Sequence, residues 1–177
     1  LLTNCTTAQD IKSPSDIKKS FDLVVKVRIG DVDNLVRIYI VDDKNKFINY
    51  KPDLKEQYRY ANTKSGSIST IDVTNPLNII AFYDDFNQVK IFDNTLTIIN
   101  EVNLSDKFVD ISACGISNDG QLWIYDPSQF KLLKINENGQ VILESSNVND
   151  FGMSDVNISI IKEKSNVVIL MDKSKGF

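Results

Sequence analysis

The chain has 177 residues, 42% hydrophobic and 25% charged, with a formal net charge of −4, a composition that suits a folded globular protein and excludes a disordered one. Its 20 Lys and Arg are scattered among 24 Asp and Glu, so no phosphate-binding face is expected and nucleic acid is not an expected partner. It contains no histidine, which removes His-dependent triads, His-ligated metal sites and imidazole proton shuttles from the chemistry this chain can supply.

In chain order, the first element is a tract at residues 1–18 that precedes the first expected strand. It opens Leu-Leu-Thr-Asn-Cys-Thr-Thr-Ala-Gln-Asp, and a start at Leu1 rather than Met leads us to expect further residues ahead of it. Two export readings fit this tract, as a signal-peptide remnant or a lipoprotein tether. Thr6-Thr7-Ala8 before Gln9 has the small residues of a cleavage site, which would make Gln9 the mature N-terminus. Leu2-Thr3-Asn4-Cys5 has the order of a lipobox with an unusual Asn, which would make Cys5 a lipid anchor and the expected link to a membrane. An N-terminal arm of a cytosolic protein is the third reading. No later stretch of the sequence approaches the ~18 consecutive apolar residues of a membrane-spanning helix.

From residue 19 onward the chain repeats, and a period near forty residues points to a propeller or an array. Four apolar runs, at 37–41, 79–83, 122–125 and 167–171, each end in an aspartate. Those residues, Asp42, Asp84, Asp126 and Asp172, are 42, 42 and 46 positions apart. A polar turn follows each, then in the first three repeats a strand (47–50, 89–92, 130–135), a second turn, and an outer strand such as 96–102 or 140–144. Asn118-Asp119-Gly120 adds a tight hairpin between the runs 108–114 and 122–125, because these residues tolerate positive φ. Asn75-Pro76 is read as a turn of the same kind in the preceding repeat.

The runs before the aspartates are apolar at nearly every position, which means that both faces of the strand are buried. Outer strands such as 54–58 and 140–144 are more polar, and this gradient is that of blades radiating from an axis. A seven-stranded immunoglobulin-like sandwich would not place one aspartate every 42 residues. The expected fold class is therefore all-β, a β-propeller of four-stranded antiparallel blades with a repeat of about 42 residues. Three and a half blades are expected, at about 20–60, 68–104, 108–146 and 156–177. A closed ring needs more, so further blades are expected in the complete protein.

Residues 116–126, Ile-Ser-Asn-Asp-Gly-Gln-Leu-Trp-Ile-Tyr-Asp, continuing to Leu133-Lys134-Ile135-Asn136-Glu137-Asn138-Gly139, resemble blades of the NHL and related six-bladed propellers. Residues 69–77, Ser-Thr-Ile-Asp-Val-Thr-Asn-Pro-Leu, with Phe82-Tyr83-Asp84-Asp85-Phe86-Asn87 and Phe92-Asp93-Asn94-Thr95-Leu96, are similar to a family of exported β-propeller proteins of Bacteroidota. The similarity runs from about residue 44 to the C-terminus. It implies export to the periplasm or outer membrane, with other envelope proteins as partners, and it brings no reaction with it.

Among candidate site residues, Asp42, Asp84, Asp126 and Asp172 are expected to shape turns by accepting hydrogen bonds from backbone amides one or two residues on. Asp31-Val32-Asp33-Asn34 has the carboxylates of a calcium loop without its glycine and terminal Glu, and no metal or cofactor is expected. Cys114 reads as a buried small hydrophobe, with no histidine to act as its base, and Trp123 reads as core. Asp43, Lys44, Asp85, Phe86, Asn87 and Ser128 occupy turns on one propeller face and form the expected partner-binding surface. Phe86 dominates that surface, as an aromatic at a turn tip either folded against a neighbouring blade or presented to a partner. The expected function is a non-catalytic interaction or scaffold module. The other class is a propeller enzyme or a small-ligand or sugar receptor, its site completed by blades outside this chain.

Overall fold

The computed structural model describes residues 25–62, 64–152 and 156–175; the N-terminal tract with Cys5 and Gln9 lies outside them. The strands follow in chain order, four to a sheet: β1 (Val27–Val32), β2 (Ile38–Asp42), β3 (Lys46–Tyr50) and β4 (Glu56–Ala61); then β5 (Thr70–Asp72), β6 (Ile79–Tyr83), β7 (Gln88–Phe92) and β8 (Ile98–Asn103). The third sheet holds β9 (Ala113–Ile116), β10 (Leu122–Asp126), β11 (Lys131–Ile135) and β12 (Val141–Glu144), and the hairpin β13 (Ile160–Lys164) with β14 (Val167–Met171) forms a fourth, two-stranded sheet. Every pair is antiparallel between sequence neighbours. The first strands of successive sheets lie beside one another around a common axis. The fold is all-β and is part of a β-propeller.

The apolar runs before the aspartates are the second strands, and their period-two alternation, which turns successive residues toward the sheets on either side, explains why nearly every position in them is apolar. On β6, Ile79, Ala81 and Tyr83 pack against Tyr39, Val41 and Phe47 of the first sheet. Ile80 and Phe82, on the other face, pack against Cys114, Ile116 and Ile124 of the third. Phe92 joins the first core, with its ring edge-on to Phe47 and Tyr60 at centroid distances of 5.7 and 4.8 Å. A third core between sheets three and four holds Trp123, Tyr125 and Leu132 against Ile158 and Ile161. Each large side chain buried in this way stabilises the sheet stack by roughly 1.5–3 kcal/mol.

Three expected strands are displaced, among them the outer strand of the first sheet, Glu56–Ala61 instead of 54–58, behind a turn that Lys51 and Lys55 close around Leu54 at φ +63°. The first strand of the third sheet is Ala113–Ile116 instead of 108–114, because the carbonyl of Leu104 accepts the N–H groups of both Lys107 and Phe108 and coils this segment into a turn. Phe108 and Ile111 are buried from that connection, so an apolar pattern persists where no strand forms. The outer strand of the second sheet begins at Ile98, since Asp93 and Thr97 close a turn around Leu96 at φ +60°. On β9, a Cβ at Gly115 would lie 2.5 Å from the carbonyl oxygen of Ile161 on β13. Sheets three and four therefore meet backbone to backbone, at a place that only glycine allows.

Candidate functional site

Antiparallel order puts the turn after each second strand at the same end of its sheet as the link from the preceding sheet. One rim of the structure therefore gathers Asp43, Lys44, Asp85, Phe86, Asn87 and Ser128, while the turns between first and second strands gather at the opposite end. On the first rim the Asp42 carboxylate accepts the N–H groups of Lys44 and Lys46 at 2.9 and 2.8 Å. Asp126 accepts from the Ser128 N–H at 2.9 Å and from its hydroxyl, and Asp172 accepts from the Ser174 N–H and hydroxyl and from the Asn157 N–H. These bonds, that from the Ser174 hydroxyl foremost, hold the Asp172 carboxyl below its usual range.

Asp84 stands apart from the other three. Asp84–Phe86 forms a 3₁₀ turn, the Asp84 side chain is exposed, and its carboxylate accepts the N–H of Asp85 alone among the described residues. Asn87 then takes a left-handed conformation at φ +45° and its amide donates to the carbonyls of Phe108 and Val109 at 3.1 and 3.4 Å. Asp85 accepts the N–H of Ser67. The Phe86 ring rests on Gly66, where a Cβ would come within 2.9 Å of it, yet Phe86 remains 54% exposed. The turn is thus tied to the link on each side, and its aromatic faces outward from a glycine platform.

Between these links lies a groove of about 700 Å³. Its apolar wall is Phe86, Phe108 and Val109, the last 94% exposed, and its polar wall includes Lys64, Gln88 and Asn103. Of the six sequence-predicted contact residues, Asp85, Phe86 and Asn87 line this groove, whereas Asp43, Lys44 and Ser128 are exposed elsewhere on the same rim.

A second cluster, on the first strands, was not picked out by the sequence patterns. The Lys162 ammonium of β13 lies 2.5 Å from Asp31 on β1 and 2.7 Å from Asp72 on β5. Asp72 also accepts the N–H of Ile116 on β9, so four strands from four sheets converge on one ion-paired set. Asp33, the other carboxylate of the calcium-like run, is buried against Arg37 at 2.7 Å. One residue beyond Lys162, on the opposite face of β13, Glu163 accepts the Ser117 hydroxyl and the Trp123 indole N–H, each at 2.6 Å, together with the Asn118 backbone and side-chain amides. Burial alone would raise the Glu163 carboxyl, but these hydrogen bonds outweigh it and hold the group below its usual range. Burial, with the Asp72 charge nearby, pushes the Cys114 thiol far up, so it stays protonated in the core. The available signal was Lys162-Glu163-Lys164, a charged triplet inside an otherwise apolar hairpin.

No family model matches the chain, and no curated protein matches it in sequence. In fold it is similar to a putative exported protein from Bacteroides fragilis, with a TM-score of 0.61 and 18% identity over 87% of this chain and 47% of that one. It is similar to the WD40 domain of Neurospora crassa Pan2, at a TM-score of 0.57 and 15% identity over 84% and 44% of the two chains. Virginiamycin B lyase from Staphylococcus aureus gives a TM-score of 0.57 and 14% identity over 82% and 48%. The chain spans a little under half the length of these three structures, and at such identities the likeness is one of fold.

Proposed function

We propose that the chain is a non-catalytic β-propeller interaction module that docks a protein partner on the rim bearing Asp43, Lys44, Asp85, Phe86, Asn87 and Ser128. The observation that carries this reading is the Phe86–Val109 groove, where two exposed apolar residues flank a cleft whose turn accepts a hydrogen bond from the link on one side and donates one to the link on the other. Loops held by a rigid scaffold are where recognition groups concentrate, and a buried aromatic anchor contributes about 2 kcal/mol or more at an interface. Asp42 and Asp126 brace the turns that present Lys44 and Ser128, Asp172 braces the corresponding turn of the fourth sheet, and Asp84 contributes a single bond to the turn of Phe86. The lack of histidine removes imidazole chemistry from what this chain itself can supply.

The protein belongs, on this reading, to the bacterial envelope, in the periplasm or at the outer membrane, where its partners are other envelope proteins. Support comes from the small-residue tract before the first strand, with Cys5 as lipid anchor or Gln9 as mature N-terminus, and from the sequence resemblance to exported propellers of Bacteroidota. The fold likeness to an exported Bacteroides protein agrees with it. A pull-down from solubilised envelope tests the docking: wild type should recover a partner that Phe86→Ala loses while melting at an unchanged temperature. Equal recovery rejects the role of Phe86. Mass spectrometry of the native N-terminus tests export, and an intact leader on a cytosolic protein would reject it. The second reading, a propeller enzyme or small-ligand or sugar receptor, is favoured by the ion-paired cluster on the axis and is compatible with the fold shared with a lyase.

A further inference from the structure

A second groove, of about 330 Å³, runs between the fourth sheet and the first strands of sheets one and two. Its volume lies at the lower end of the roughly 300–1,000 Å³ of small-molecule sites. Arg28 and Lys173 stand at its mouth, near the rim, since Val27 pairs with Asp42 and Lys173 follows Asp172. The middle is aliphatic, built from Ile29, Ile71, Ile160 and Met171. At the other end Lys162 closes the groove, its charge already balanced by Asp31 and Asp72.

The two cations at the mouth are not balanced in this way. Arg28 donates to the Ile68 carbonyl at 2.6 Å and to the Asn45 side-chain oxygen at 2.9 Å, both uncharged acceptors. Among the described residues no carboxylate lies within ion-pair distance of Arg28 or Lys173. In a chain of net charge −4, two cations with no carboxylate partner among the described residues, both at one opening, give a local field that favours an anion. Thr70 lines the same groove, is 7% exposed, and its hydroxyl has no hydrogen-bond partner among the described residues. Buried hydroxyls are ordinarily partnered, so this one is available to a ligand.

We propose that this groove is a binding site for a small organic anion with a short apolar body, a monocarboxylate being the simplest case. The carboxylate sits between Arg28 and Lys173 at the mouth, and the apolar body lies along Ile29, Ile71, Ile160 and Met171 toward the ion-paired floor. Thr70 supplies a hydroxyl to the ligand. A bare inorganic anion would leave the aliphatic wall unused, and a cation would meet two like charges.

The test titrates the 177-residue chain with octanoate, followed by amide signals in NMR spectra. Saturable shifts are expected at Arg28, Ile29, Thr70, Ile71 and Lys173. Octan-1-ol, octyltrimethylammonium and inorganic phosphate should each bind at least tenfold more weakly. Lys173→Glu should weaken octanoate at least tenfold without lowering the melting temperature, because the side chain is exposed. Thr70→Val should weaken it severalfold while leaving the unliganded protein as stable as before, since the hydroxyl has no partner to lose. Phe86→Ala should leave octanoate binding unchanged, which separates this site from the rim. The proposal is overturned if octanoate gives no saturable shift, if the alcohol, the ammonium or phosphate binds as tightly, or if Lys173→Glu has no effect.

Discussion

Strands β6 and β14 occupy the same position in the repeat, are both five residues long, and are both composed wholly of apolar residues. Their surroundings differ. Every residue of β6 is fully buried, with one face against the first sheet and the other against the third. On β14, Val168 and Leu170 pack toward the third sheet, while Val167 and Ile169 on the other face are 59% and 47% exposed. An apolar run in this repeat thus encodes a capacity for two-sided burial, and the neighbouring sheets decide how much of it is realised, as in other arrays stabilised by nearest-neighbour contacts.

The largest effect should follow directly from that contrast. Phe82→Ala on β6 is expected to cost about 3–5 kcal/mol through lost burial and the cavity left behind, whereas Ile169→Ala should cost less than about 1 kcal/mol. Urea denaturation of the two variants measures both. Equal losses would break the comparison, because they would mean that β14 is buried as deeply as β6.

Glu163 sharpens it from the side of the contact between sheets four and three, to which it contributes a buried polar knot. Glu163→Ala leaves the Trp123 indole N–H and the Ser117 hydroxyl without their acceptor, and each buried unsatisfied group costs about 1–3 kcal/mol, so a loss of about 2–4 kcal/mol is expected. Because the folded-state carboxyl lies below the ordinary glutamate value of 4.5, its contribution is fully present above that pH and is lost as pH falls through the folded value. Hydrogen-exchange protection at β13 and β14, taken relative to the intrinsic exchange rate at each pH, should therefore fall on acidification. In Glu163→Gln the protection should be lower at neutral pH and this acid-dependent component should be missing. An unchanged acid profile in the Gln variant would remove Glu163 as the source. Gly115→Ala probes the same contact sterically: a methyl 2.5 Å from the Ile161 carbonyl must push the two backbones apart, at about 1–3 kcal/mol. A melting temperature equal to wild type would show that the sheets can separate without loss.

The parts of the fold legible in the sequence are those determined locally. Strand period and turn chemistry repeat every 42 residues and mark the second strands and the aspartates that end them. The strand expected at 108–114 failed because burial alone does not distinguish a strand from a packed connection: Phe108 and Ile111 are core residues in a coiled link. The axial cluster was not legible at all. Lys162 and Asp31 are 131 residues apart in the chain, and nothing in their local sequence says that the fourth sheet returns to the first. On the rim, the pattern identified Phe86 as an unusual turn residue, but the Gly66 platform and the Val109 wall belong to links whose course depends on packing.

The smallest expected effect distinguishes two aspartates that the repeat makes equivalent. Asp126 is buried and its carboxylate accepts the Ser128 N–H, the Ser128 hydroxyl and the Gln129 side chain, so Asp126→Ala removes several acceptors at once from a partly buried turn. Each such bond contributes about 0.5–1.5 kcal/mol net, and cooperative reorganisation of one turn limits the total to about 1–2 kcal/mol. Asp84 is exposed, and its carboxylate meets the N–H of Asp85, a group that water can serve equally well. Asp84→Ala should therefore change stability by no more than about 0.5 kcal/mol. Urea midpoints at a common slope measure both. If Asp84→Ala proves as costly as Asp126→Ala, the 3₁₀ turn that presents Phe86 depends on its aspartate after all. If instead both are neutral, backbone geometry alone sets these turns, the left-handed residues Asn87 and Phe130 holding them without help from the carboxylates.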